Sequence, residues 1–138
     1  MKNKEVRMSG NKGEWSELYV FMKLLSQGRV YAANEKVERI DEVNYPILKI
    51  MREEIKGRII DYVINDKEIS IEIQSDKILS VDRKEMEKQA NILLKNIASH
   101  SGSFELEEIA EFANGIKVTK LKAPSADTTD ISMQIKDI

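Results

Sequence analysis

Residues Gly57–Gln74 read "GRIIDYVINDKEISIEIQ", and the second half of the stretch alternates without a break. Ile69, Ile71 and Ile73 fall on one side of an extended chain and Ser70, Glu72 and Gln74 on the other. That is the period-2 pattern of a strand with one face buried. The first half is rich in β-branched and aromatic residues and predicts a partner strand, with turn chemistry at Asn65-Asp66-Lys67 between the two. One dry face and one wet face describe an antiparallel sheet.

Outward from this pair, "RVYAA" (Arg29–Ala33) and "YPILKIMREE" (Tyr45–Glu54) predict further strands, the latter turning at Lys56-Gly57. Pro46 suits the beginning of a strand or an edge. Earlier still, "GEWSELYVFMKLLS" (Gly13–Ser26) has a helical period that puts Leu18, Phe21, Met22 and Leu25 on one face, flanked by Trp15, Tyr19 and Leu24. Asn11 is the expected N-cap, with Glu14 three residues on, and Gly28 the expected stop.

Downstream, a long helix is expected from Ser80 or Asp82 to about Ala98, with Met86, Ala90, Leu93, Leu94 and Ile97 on its apolar stripe. "SHSGS" breaks it, and "ELEEIAEFAN" predicts a second helix that starts from Ser103 and ends at Asn114-Gly115. "IKVTKLKA" (Ile116–Ala123) reads as a strand. After a loop of small polar residues, a last strand begins at Asp130, with Ile131, Met133 and Ile135 on one face. The order predicts a mixed α+β class in a single domain over residues 1–138: a first helix within 1–28, a β-rich segment at 29–77, two helices at 80–115, and further strands at 116–138.

The composition narrows the chemistry. With 41% hydrophobic and 33% charged residues the chain resembles an ordinary soluble protein. No apolar run reaches the length of a membrane span, and nothing in "MKNKEVRMSG" resembles a secretory leader, so a cytoplasmic protein is expected. Cysteine is absent and His100 is the lone histidine, which excludes disulfides and the usual zinc clusters. A metal here has oxygen ligands. The formal charge of −2 argues against strong non-specific nucleic-acid binding, although Lys2, Lys4, Arg7 and Lys12 cluster early and Lys117, Lys120 and Lys122 cluster late.

Three sets of acids stand out. Glu14 and Glu17 project from the apolar side of the first helix, where a carboxylate either reaches water at the helix end or belongs to a polar site; Glu14 also suits a capping box. Asp130 opens a strand, as a turn residue or as a metal ligand. Asp61 on one predicted strand, with Glu72 and Gln74 on a later one, makes a weakened form of the nuclease pattern of Asp followed by Glu-x-Lys.

"NKGEWSELYVFMKLLSQG", "YPILKIMRE" and "KAPSADTTDISMQIKD" together resemble the N-terminal half of HpaII-type type II restriction endonucleases, of the PD-(D/E)xK nuclease superfamily. The resemblance implies a mixed sheet flanked by helices, of which residues 116–138 begin the catalytic part. It also implies Mg²⁺-dependent hydrolysis of both strands of double-stranded DNA at a short palindrome, CCGG in the namesake, by a homodimer. Asp130 matches the metal-binding Asp of the signature. Glu17, or else Glu14, matches the glutamate contributed by the first helix, which makes Asp130 and Glu17 the implied metal ligands. The family's catalytic Lys belongs to a segment resembling Gly-Phe-Ser-Ile-Lys-Ser that would follow Ile138. On this reading the chain is an N-terminal portion of a longer enzyme, with little cleavage expected from it alone. Arg29, Arg39, Arg52 and Arg58 are unranked candidates for base reading, much of which the resemblance places after Ile138. The competing expectations are a non-catalytic binding or assembly module, and a small nuclease built on Asp61, Glu72 and Gln74.

Overall fold

The structure, a computed structural model, describes residues 7–121 and 130–135, with the backbone alone over 130–133. Helix α1 (Lys12–Gln27) starts as its sequence requires. The Asn11 side chain accepts from Glu14 N at 2.9 Å, and Glu14 Oε1 accepts from Asn11 N at 3.0 Å, a complete capping box. The helix ends at Gly28, whose φ of 70° is left-handed. Before α1, β1 (Ser9–Gly10) pairs antiparallel with β7 (Phe104–Glu105), tying the start of the chain to its later third. Trp15 reinforces that tie, donating from Nε1 to the Phe104 carbonyl at 3.1 Å.

The main sheet runs β2 (Arg29–Ala33), β3 (Arg39–Ile55), β4 (Arg58–Ile64), β5 (Glu68–Ile73) and β6 (Asp76–Asp82), with β8 (Asp130–Ile135) paired to β3. The resemblance implied a mixed sheet; every pairing among the described residues is antiparallel. Strand β3 is its spine. Over Lys49–Glu53 it pairs with both β4 and β8, so these lie on its opposite edges. Cross-strand register sets Ile50 opposite Tyr62, and Tyr62 opposite Ile71, on one face. Phe21 of α1 meets Tyr62 edge-on there, with ring centroids 4.9 Å apart. Helix α2 (Arg83–Ser99) packs along α1 through Met86, Ala90, Leu93 and Ile97. Trp15, Met22, Leu25, Ile50, Tyr62, Ile69 and Ile71 are fully enclosed at the centre of this core.

Several expectations need correction. The stretch Asp76–Asp82 is a strand, which removes Ser80 as the start of α2; the other expected start, Asp82, is the observed cap. Leu94, assigned to the apolar stripe, is 46% exposed. Helix α3 (Glu107–Gly115) begins after β7 and has no side-chain cap, so Ser103 does not start it. Its left-handed residue is Lys117, φ 71°, rather than Gly115. Val118 N bonds Ala113 O at 2.8 Å and Lys117 N bonds Asn114 O at 3.0 Å, the double bond of a Schellman turn. That turn displaces the expected strand: Ile116–Leu121 joins no ladder. Lys122 and Ala123, the loop before Asp130, and Lys2 and Lys4 lie outside the described residues.

At the junction of α1, the β4–β5 turn and α2 sits Arg83. Its guanidinium donates to the carbonyls of Ser26, Gln27, Asn65 and Asp66 at 2.8–3.2 Å. A cation over the C-terminal carbonyls of α1 is also well placed for the helix dipole. A Cβ at Gly28 would stand 2.7 Å from Arg83 Nη2 and 3.3 Å from Ile64 Cγ2. Gly28→Ala therefore combines left-handed strain of about 1 kcal/mol with displacement of a fixed guanidinium, and urea denaturation is expected to show a loss of about 2 kcal/mol or more.

Candidate functional site

Each candidate acid has a definite place. Glu14 is half-buried, with its carboxylate engaged by the Asn11 backbone. One turn later Glu17 is exposed, on the rim of an open groove of about 420 Å³ lined by Gly13, Ser16, Val20, Phe21, Leu24 and Ile50. The helical period presents Glu17 there beside Phe21 and Leu24. Ile50, which lines it, lies on β3 opposite position 133 of β8, so the groove borders β8. Asp130 is the first residue of that strand and stands opposite Glu53; its side chain lies outside the described residues. Strand β8 thus begins where expected, and lies beside the part of β3 against which α1 packs.

The rival set is only partly assembled. Asp61 and Glu72 are directly opposite on β4 and β5, and Lys49 Nζ is 3.9 Å from Asp61 Oδ2. Gln74, expected on the strand, instead occupies the β5–β6 turn with φ 53°, followed by Ser75 at 69°. Two consecutive left-handed residues make a type I′ turn and take Gln74 out of the ladder. Ser70, expected outward and wet, is buried and accepts from Asn65 Nδ2 at 2.9 Å. Among the described residues no three acidic or imidazole side chains form a metal-sized group.

Sequence reasoning missed the buried ionic centre. Arg52, expected as a base-reading residue, is 5% exposed and cannot reach a DNA groove. Its Nε donates to Glu54 Oε2 at 3.0 Å, Nη2 donates to the Lys120 carbonyl at 2.9 Å, and the guanidinium carbon lies 5.3 Å from the Phe21 ring centroid. Glu54 accepts from Thr119 N at 3.1 Å and from Thr119 Oγ1 at 2.6 Å. Tyr62 completes the set by donating to the Ile116 carbonyl at 2.7 Å. Side chains of β3 and β4 thereby hold the segment Ile116–Lys120 that no ladder holds. The signal, seen in retrospect, is alternation: Ile50, Arg52 and Glu54 share a strand face with the apolar set.

The other arginines named for base reading remain on the surface. Arg29 Nη1 donates to Asn44 Oδ1 at 2.6 Å, and Arg39 stacks over Tyr31 at 3.5 Å while pairing with Asp41. Arg58 is exposed beside the β3–β4 turn.

Two outcomes follow from the buried centre. Glu54→Gln leaves the Arg52 cation buried without its counter-charge, and urea denaturation is expected to show a loss of about 3–5 kcal/mol. Burial pushes the Tyr62 phenol well above its ordinary range; Arg52 lowers it and Glu54 raises it further. The unfolded chain therefore loses this proton first. Stability is complete below pH ~10 and falls above it by about 1.4 kcal/mol per pH unit until the folded phenol ionises. Tyr62→Phe is expected to be less stable at neutral pH by about 1–2 kcal/mol and to lack that alkaline fall, measured by denaturation from pH 8 to about 11.

Residues 11–138 match the family model described as HpaII restriction endonuclease. Over 134 residues the chain is 32% identical to the type II restriction enzyme HpaII of Haemophilus parainfluenzae, a match covering 94% of this chain and 37% of that enzyme. The chain thus spans a little over a third of the length of the curated relative it matches. No solved structure matches it. Among the described residues no helix is long and apolar enough to cross a membrane.

Proposed function

This chain belongs to the HpaII restriction endonuclease family, and from that membership we propose that it supplies the first part of a type II site-specific deoxyribonuclease. The substrate is double-stranded DNA in the cytoplasm, the reaction is hydrolysis of phosphodiester bonds, and CCGG is the first site to try. Cutting both strands of a palindrome calls for two copies related by a twofold axis, hence a homodimer. The observation that carries the reading is the extent of the family match: it includes both α1, with Glu17, and β8, with Asp130.

The donor set suits Mg²⁺. This ion is usually held by one or two carboxylates, with substrate phosphates and waters completing its shell, so a cage of three protein acids is not required. The family resemblance assigns it to Asp130 and Glu17; in the register position 130 stands opposite Glu53, on the alternate set of β3 positions from Ile50 in the Glu17 groove, so the pair is not brought together in the structure. Glu14 is the weaker choice because its carboxylate already caps α1. When bound, Mg²⁺ polarises a phosphoryl oxygen and acidifies a water. The chain's own carboxylates fix where that charge sits, and the apolar wall of Val20, Phe21, Leu24 and Ile50 keeps bulk water from one side of Glu17.

A second reading rests on the sheet itself, where Lys49, Asp61 and Glu72 come together. One experiment separates the two. Mg²⁺ is titrated into the purified chain with a CCGG duplex and with a scrambled duplex, following the melting temperature and fluorescence anisotropy. Asp130→Ala and Glu17→Ala are expected to weaken the Mg²⁺ response at least about tenfold, while Asp61→Ala leaves it unchanged. Loss of the response in Asp61→Ala alone transfers the site to the sheet acids. Absence of both a metal response and duplex binding overturns the reading.

A further inference from the structure

At the end of β3 where β8 begins, a small cleft of about 60 Å³ is lined by Glu54, Ile55, Arg58, Ile60, Lys117 and Thr119. We propose that it binds a backbone phosphate of double-stranded DNA, with Arg58 and Lys117 as the donors; this rests on the nuclease reading and adds to it a contact that no acid of the proposed metal site makes. The volume leaves room for about four waters, or for one tetrahedral phosphate in their place.

Charge is the first argument. Glu54 lines the cleft, but its carboxylate is already met by Arg52 Nε and by the N–H and hydroxyl of Thr119. The hydroxyl of Thr119 is spent on that bond as well. Arg58 and Lys117 remain, and among the described residues neither has an acidic partner within ion-pair distance. The cleft is therefore lined by two cations without acidic partners among the described residues and by an apolar wall. An anion there meets a bidentate fork and a point charge together.

The backbone of Lys117 is the second argument. It occupies the left-handed position of the Schellman turn after α3, φ 71°, where glycine is the unstrained choice. Glycine is in fact present two residues earlier, at Gly115, in the last position of the helix. A lysine held at the strained position, with its side chain lining a cleft, is the pattern in which local strain accompanies a ligand contact.

Position is the third. Arg58 pairs with Ile55 on β3, two residues beyond Glu53, and Glu53 stands opposite Asp130. The cleft and the start of β8 are neighbours at one end of the sheet. Glu54 and Ile60 put the cleft on the alternate set of sheet positions from Glu53 and Asp130, so a phosphate here is a contact separate from position 130, one that fixes register without reading sequence.

The test uses the full chain and fluorescence anisotropy of short duplexes, with and without CCGG, between about 50 and 200 mM salt. Lys117→Gly removes the cation and relieves the backbone strain together, so its melting temperature is expected to hold or rise; Arg58→Gln is the second variant, and Lys95→Gln on the exposed side of α2 is the charge-matched control. Each of the first two is expected to weaken both duplexes alike and to reduce the slope of log K against log salt by about 0.9, whereas Lys95→Gln changes neither. Duplex binding by the unaltered chain with the same slope in Lys117→Gly and Arg58→Gln overturns the phosphate cleft and leaves the nuclease reading standing. Failure of the unaltered chain to bind either duplex overturns both.

Discussion

The Arg52–Glu54 pair is the interaction on which the described structure depends. Charged residues are rarely buried unless paired, and here each partner is satisfied on more than one side. Replacing the pair with apolar residues of similar size would keep the core dry, but Thr119 and the Lys120 carbonyl would then have nothing to bind. The pair fastens a non-repetitive segment to a sheet, a task that apolar packing performs without fixing register. Tyr62 adds a third fastening from the neighbouring strand. Phe21 of α1 touches both Arg52 and Tyr62, so the helix bearing Glu17 is packed against the same centre.

Much of the framework was legible because it obeys simple periods. Helix α1 announces both its ends, through Asn11 with Glu14 and through Gly28, and the alternation of Ile69, Ile71 and Ile73 gives β5 its face. Strand β6 escaped notice because Gln74-Ser75 makes a type I′ turn without the glycine or asparagine that ordinarily signals one. Ile116–Leu121 misled in the opposite sense. Its alternating apolar residues suggest a strand, but the left-handed Lys117 redirects the chain and its polar groups bond to side chains instead.

The candidate site was legible to a smaller degree. Glu14 caps its helix, one of the two readings the sequence allowed, and Glu17 lies on the rim of a groove that the sequence did not announce. Arg52 was misjudged because an arginine next to acidic residues near a strand end looks like a surface residue until its partner two positions away, Glu54, is considered. Lys117, Lys120 and Lys122 looked like a solvated cluster in the sequence. The Schellman turn separates the first of them and brings it beside Arg58, from a strand some sixty residues away, a juxtaposition that only tertiary structure creates.

Strand β3 has a consequence for how the molecule comes into being. Its pairings with β2 and β4, and those of β5 and β6, join segments close in the chain and form locally, while β8 arrives from almost eighty residues downstream. During synthesis the second edge of β3 over Ile47–Glu53 therefore stays unpaired until β8 leaves the ribosome. An open edge carrying Ile47 and Ile50 is a template for pairing with a neighbouring nascent chain. Strand β8 thus also acts as the seal that covers this edge of β3 against strangers.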